Sequence, residues 1–129
     1  MIRNLGERDF VKQKMIVAGI YLKSDDKLVG LFEAFDFKKR SGNVTIGYKI
    51  DERCWNRGIA TRACGMMIDY LSGMDDVCRL TAYVLPENVR SAKVLLANGF
   101  VKMPYVKEDH NWGQREDVLL DVYEYAVRH

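Results

Sequence analysis

Asn56 to Thr61, read Asn-Arg-Gly-Ile-Ala-Thr, have the types and spacing to bind an anion. They stand where a strand-like run, Asn43 to Ile50, gives way to apolar residues at helical spacing, so they should form the first turn of that helix. The first amides of a helix lack partners within it, and the helix dipole adds partial positive charge at the same end. A phosphate or pyrophosphate fits such an end. Gly58 and Ala60 are small enough to let the anion approach the backbone, and Arg57 adds charge at the rim. Many strand-to-helix turns contain a glycine and bind nothing, so this turn alone leaves both readings open.

The elements around the turn read in order. Lys14 to Leu22 is a strand candidate, Ser24 to Lys27 supplies hairpin residues, and Leu28 to Phe37 is the return strand. The later half of that return strand alternates, with Phe35 and Phe37 opposite Ala34 and Asp36. The basic run Lys38-Lys39-Arg40 reads as a solvated turn, and Asn43 to Ile50 completes an antiparallel meander. Ile59, Ala60, Ala63, Cys64, Met67, Leu71 and Met74 form one apolar stripe, predicting a helix over 57–72 that stops at Gly73. A strand over 80–85 should run parallel to 44–50, because a helix crossover joins them. A second helix starts at Asn88, turns Ala92, Leu95 and Leu96 inward, and ends at Gly99 with Phe100 packing back. Strands over 100–107 and 118–127 follow, joined by the polar segment Glu108 to Asp117, a candidate loop over a site. Residues 1–13 are polar and show no clear period.

Three motifs occur in sequence: Ile46-Gly47-Tyr48 before the turn, Trp55 to Thr61 at it, and Asn88 to Ser91 leading to Asn98-Gly99-Phe100. In that order they resemble the GNAT superfamily of acyl-CoA-dependent N-acetyltransferases, and within it the RimJ/RimL branch. The likeness covers roughly residues 13 to 127. It implies a single acetyltransferase-like domain over residues 1–129, an α/β (α+β) fold with a mixed, mostly antiparallel sheet flanked by helices. Family members begin with one more strand and one or two helices, so the N-terminal part is expected to be shortened.

The resemblance implies transfer of an acetyl group from acetyl-CoA, as co-substrate, to a small-molecule or peptide primary amine. The amine must lose a proton, the thioester carbonyl must be polarised, and the departing thiolate must gain a proton. By the same resemblance, the pyrophosphate belongs on Trp55, Asn56, Arg57, Gly58, Ile59, Ala60 and Thr61. The pantetheine arm belongs in a gap where strands 44–50 and 80–85 part, bonded by backbone groups of Tyr48, Lys49 and Ile50. Asn88 either reaches that arm or only caps its helix. Ser91 either protonates the thiolate or bonds its own helix, as first-turn serines do, and Tyr83 and Tyr105 are substitutes for it. RimL-like sequences carry a glutamate where this chain has Thr45, which cannot take up a proton. Glu33 is the best remaining base, with Phe32 and Phe35 near it to raise its pKa by desolvation; otherwise it is an outward-facing strand glutamate. Arg62 replaces the usual acidic residue after the turn and adds positive charge there. Trp112, in a polar loop, either lines an acceptor pocket or joins the core. A rival to the enzyme is a non-catalytic acyl-CoA-binding module or subunit.

Composition excludes several other classes. At 129 residues, 48% apolar and 29% charged, the chain suits one globular domain. A net charge of +2 gives no field of the kind nucleic-acid binders show. No apolar run is long enough to span a bilayer and the first residues lack a signal-peptide core, so a cytoplasmic location without membrane contact is expected. Cys54, Cys64 and Cys78 have no CxxC spacing, which suggests neither disulfides nor a metal site. Cys64 falls on the apolar stripe; Cys54, beside the turn, is expected to be partly exposed. A nucleophilic cysteine wants a histidine, and only His110 and His129 exist. A homodimer is compatible with the resemblance.

Overall fold

In the computed structural model, residues 2–6, 15–24, 26–113, 115 and 117–127 are described. The strands are β1 (Ile2–Gly6), β2 (Met15–Tyr21), β3 (Leu28–Lys38), β4 (Asn43–Ile50), β5 (Arg79–Val84), β6 (Val101–Asp109) and β7 (Val118–Ala126), and the helices are α1 (Ile59–Ser72) and α2 (Val89–Ala97). They form one seven-stranded sheet in the order β1-β2-β3-β4-β5-β7-β6. Only β4 and β5 pair in parallel, as the α1 crossover requires. The mixed, mostly antiparallel sheet expected from the sequence is therefore present, and β7 inserts between β5 and β6.

Period-2 alternation sends Phe32 and Ala34 of β3, Val44 and Ile46 of β4, and Leu80 and Ala82 of β5 to one face. There they pack in a single core with Cys64, Met67 and Leu71 of α1 and Leu95 of α2. Both helices cover that face. Leu31, Glu33 and Phe35 point to the opposite face and stay half-buried.

Several expectations need correction. A strand, β1, precedes the meander and pairs antiparallel with β2, in a stretch whose sequence shows no strand period. Residues 7–14, which join the two strands, lie outside the described residues, as does His129. The helix starts at Ile59, because Asn56 (φ 62°) and Gly58 (φ 75°) are left-handed and cannot belong to it. The alternation of β3 breaks at a bulge between Phe35 and Lys38, where Asp36 has φ 52°. The extra residue returns Phe37 to the core face. Leu96 is exposed, and Val94 takes the inward place beside Leu95. Cys54 is buried, folded under a single 3-10 turn at Glu52–Cys54.

Candidate active site

The turn from Asp51 to Thr61 is held from several sides. Asp51 opens the 3-10 turn by accepting the Arg53 amide, and its carboxylate also pairs with the Arg53 guanidinium at 2.8 Å. Those bonds hold its pKa down at about 2. The Trp55 indole donates to the Ile50 carbonyl at 3.0 Å, and the Arg90 guanidinium lies 4.1 Å over the indole ring. Asn98 reaches back from the end of α2 to the Thr61 carbonyl, fixing the first turn of α1. Gly58 caps α1 without a side chain, and a Cβ placed on it would meet nothing within 4 Å. The amides of Ile59, Ala60 and Thr61 have no backbone partner within the helix, since its first backbone bond runs from Arg62 to Gly58. Arg57 and Arg62 are exposed beside them. Of the residues expected here, Trp55 braces the loop from its exposed side and Asn56 turns the chain.

The second feature is a gap in the sheet. The β4–β5 ladder runs from Asn43–Arg79 to Ile46–Ala82 and stops. Asp51 donates to the Val29 carbonyl, so the alternation of an extended strand turns the amides of Lys49 and Gly47 toward β3 as well. Tyr48 and Ile50 then face the opposite way, into the gap. Of the three predicted backbone contacts, that of Lys49 is already used by β3. The Ile50 carbonyl is taken by Trp55, and Tyr48 is left open to a ligand.

A cleft of about 430 Å³ occupies this gap. It is lined by Ile46, Tyr48, Ala82 and Leu95 from the helix face and by Leu31, Glu33, Thr45 and Tyr83 from the open face, so it passes through the sheet. Asn88, Ser91 and Trp112 also line it. On the helix side, the Tyr48 hydroxyl donates to Ser91 Oγ at 3.3 Å, tying β4 to α2 across the gap. Tyr48 stacks on Phe32, with ring centres 6.0 Å apart. Burial pushes the Tyr48 pKa up to about 12, against a smaller opposing effect of the Ser91 bond, so the phenol keeps its proton at neutral pH. Asn88 Oδ1 accepts the Ser91 amide and caps α2, leaving the Ser91 hydroxyl proton for the cleft.

Glu33 stands on the other side of the sheet from Ser91, with Phe35 on its own face and Phe32 turned away into the core. Of the two phenylalanines expected beside it, only Phe35 shares its face. Tyr83 lies in the cleft with the Lys107 ammonium 4.3 Å over its ring. Tyr105 does not: its hydroxyl bonds Glu124 in a neighbouring groove, which removes it as a substitute acid. Thr45 is 2% exposed and its hydroxyl has no partner, a feature that its neighbours in sequence do not signal. The Tyr48–Ser91 bond was likewise not visible, because 43 residues separate the two. Among the described residues no group of His, Cys, Asp and Glu is placed to hold a metal. Nor is any helix among them long and apolar enough to cross a membrane.

The acetyltransferase (GNAT) domain family matches residues 3–101, and the chain belongs to it. Its relatives include the probable N-acetyltransferase YjcK of Bacillus subtilis, 33% identical over 102 residues (71% of this chain, 56% of the relative). The uncharacterised N-acetyltransferase p20 of Bacillus licheniformis is 28% identical over 108 residues (84% and 59%). The chain thus spans less than two thirds of the length of either. Among solved structures, a ribosomal-protein-S5-alanine acetyltransferase of Vibrio fischeri shares the fold, with TM-score 0.78, 23% identity, and 88% of this chain and 62% of that one covered.

Proposed function

We propose that this protein is an N-acetyltransferase of RimJ/RimL type, moving an acetyl group from acetyl-CoA to the primary amine of a protein N-terminus or a small molecule. The observation that carries the reading is the cleft through the sheet, with the open Tyr48 backbone and the Ser91 hydroxyl on one side and Glu33 on the other. Acetyl-CoA, when bound, supplies the acetyl group and a thiolate leaving group. The residues present suit it: the amides of Ile59, Ala60 and Thr61 with Arg57 and Arg62 match a pyrophosphate, and Gly58 leaves the approach clear. The Tyr48 amide points where a carbonyl would be polarised. Ser91, backed by the neutral Tyr48 phenol, holds a proton on the donor side. Glu33 holds a carboxylate on the acceptor side, where it takes the amine's proton directly or through water. Donor and acceptor thus enter from opposite faces, and each end of the transfer has its own proton carrier.

The test is a titration with acetyl-CoA, following thermal stability and thiol release together over a panel of amines. Ligand at a hundredfold over Kd should stabilise the fold by about 2.7 kcal/mol. Stabilisation with thiol release is the expected result. Thr45, standing where RimL-like sequences have a glutamate, favours one rival, an acyl-CoA-binding module. Stabilisation without release from any amine would select that rival, and absence of stabilisation would reject both.

A further inference from the structure

Resting on the acetyltransferase reading, we propose that the open face of the sheet carries a two-poled acceptor groove fitted to an extended peptide. Its amine lies at Glu33 and an acidic side chain further along lies among Lys38, Arg79 and Lys107. A second groove, of about 390 Å³, adjoins the cleft and shares Tyr83 and Lys107 with it. Both open on the face away from the helices. The cleft end carries three carboxylates, Glu33, Asp36 and Asp109, against the two ammonium groups of Lys49 and Lys107. The second end is basic, lined by Lys38, Arg79 and Lys107, while its one carboxylate, Glu124, accepts the Tyr105 hydroxyl. Asp36 and Lys38, 3.9 Å apart, and Lys107, which lines both grooves, stand where the two meet; the ends, Glu33 and Arg79, are far enough apart for a peptide. Glu33 stands opposite Gly47 and Arg79 opposite Asn43, four residues along β4, which at ~3.3 Å per residue is ~13 Å. That is the reach from an amino terminus to the fourth residue of an extended chain, and too long for a single amino acid.

Between the poles lies the buried hydroxyl of Thr45, opposite Phe35 and Thr81, lining the cleft and without a partner. A buried polar group is costly to leave unpaired, and a peptide amide drawn past it would satisfy it. The basic pole also decides the sign of the tail. A polyamine would meet repulsion there, whereas an acidic side chain would be drawn in. Lys38 has only a long contact to Asp36, at 3.9 Å between exposed groups, so it is available to a ligand.

Two amidated tetrapeptides decide the matter, each beginning serine-alanine-alanine and ending in aspartate or in lysine. Both are read by thiol release from acetyl-CoA and by the thermal stabilisation that each peptide alone confers. At low salt the aspartate peptide should be preferred about tenfold in kcat/KM, an electrostatic preference that salt diminishes. Lys38→Glu, a change at an exposed site that the fold tolerates, should bring the ratio to about one or invert it. Equal use of the two peptides, a preference for lysine, or a ratio that Lys38→Glu leaves unmoved would overturn the groove. If neither peptide releases thiol, the acetyl-transfer reading fails, and the stabilisation by the peptides alone still decides the groove.

Discussion

Two hydroxyls in series, those of Tyr48 and Ser91, line the helix side of the cleft, and each makes a separable prediction. On the proposed mechanism Ser91→Ala removes the last proton carrier, and it keeps the backbone amide that Asn88 caps, so the helix survives. We expect kcat to fall about a hundredfold, in the range of a lost general acid, with little change in acetyl-CoA affinity. An equal loss of affinity would make Ser91 a binding residue. Tyr48 is tested by pH. Its phenol ionises at 10.0 in the unfolded chain and at about 12 in the fold, so the unfolded state loses its proton first. Stability from this group is complete below pH 10 and declines as pH rises from 10 to 12, by about 2–3 kcal/mol. Urea midpoints across that window should fall more steeply in the wild type than in Tyr48→Phe. Cys64, whose thiol burial pushes up to about 12 and whose charge adds a smaller push to Tyr48, is replaced by alanine in both proteins so that only the phenol differs. Parallel slopes would mean the phenol is not held neutral by burial.

At the scale of elements, the sequence conveyed what local chemistry dictates and missed what distant strands impose. The apolar stripe of α1, the Asn88 cap, the left-handed Gly99 and the return of Phe100 onto the core were all readable, because each is settled within a few residues. β1 was not, since Ile2 to Gly6 becomes a strand only by pairing with β2. The bulge at Asp36 was hidden for the same reason: β3 gains its extra residue against β4, and the flip of Phe37 follows. Trp55 was placed with the cofactor by its position, yet its indole spends its one donor on Ile50. Asn88 remains the element-scale question, since it both caps α2 and lines the cleft. Serine is also a good cap but reaches less far. Asn88→Ser should therefore cost only a few tenths of a kcal/mol in stability while weakening acetyl-CoA binding several-fold, about the value of one lost hydrogen bond. Unchanged binding, measured by the acetyl-CoA dependence of Tm, would leave Asn88 as a cap alone.

The whole molecule carries its own reporters of ligand binding, because its thiols sit at different depths. Cys78 is exposed, Cys54 is buried under the turn that precedes α1, and Cys64 is wholly enclosed between α1 and the sheet. A disulfide reagent should modify Cys78 at once, and this fast thiol must be blocked or subtracted before thiol release from acetyl-CoA is read. Cys64 can react only when the core opens, and when closing is faster than modification its rate follows the open population. A ligand that binds only the folded state lowers that population by the factor 1 + [L]/Kd. Acetyl-CoA at a hundredfold over Kd should thus slow Cys64 about a hundredfold and leave Cys78 unaffected. Cys54 separates local from global effects. If the cofactor holds the Asn56–Gly58 loop, Cys54 is protected along with Cys64; if it binds elsewhere on the fold, local opening of the loop leaves Cys54 reacting at its original rate. Modification followed by mass spectrometry of the three cysteine peptides reads all of these rates in one experiment, and it places the cofactor on the turn or removes it from there.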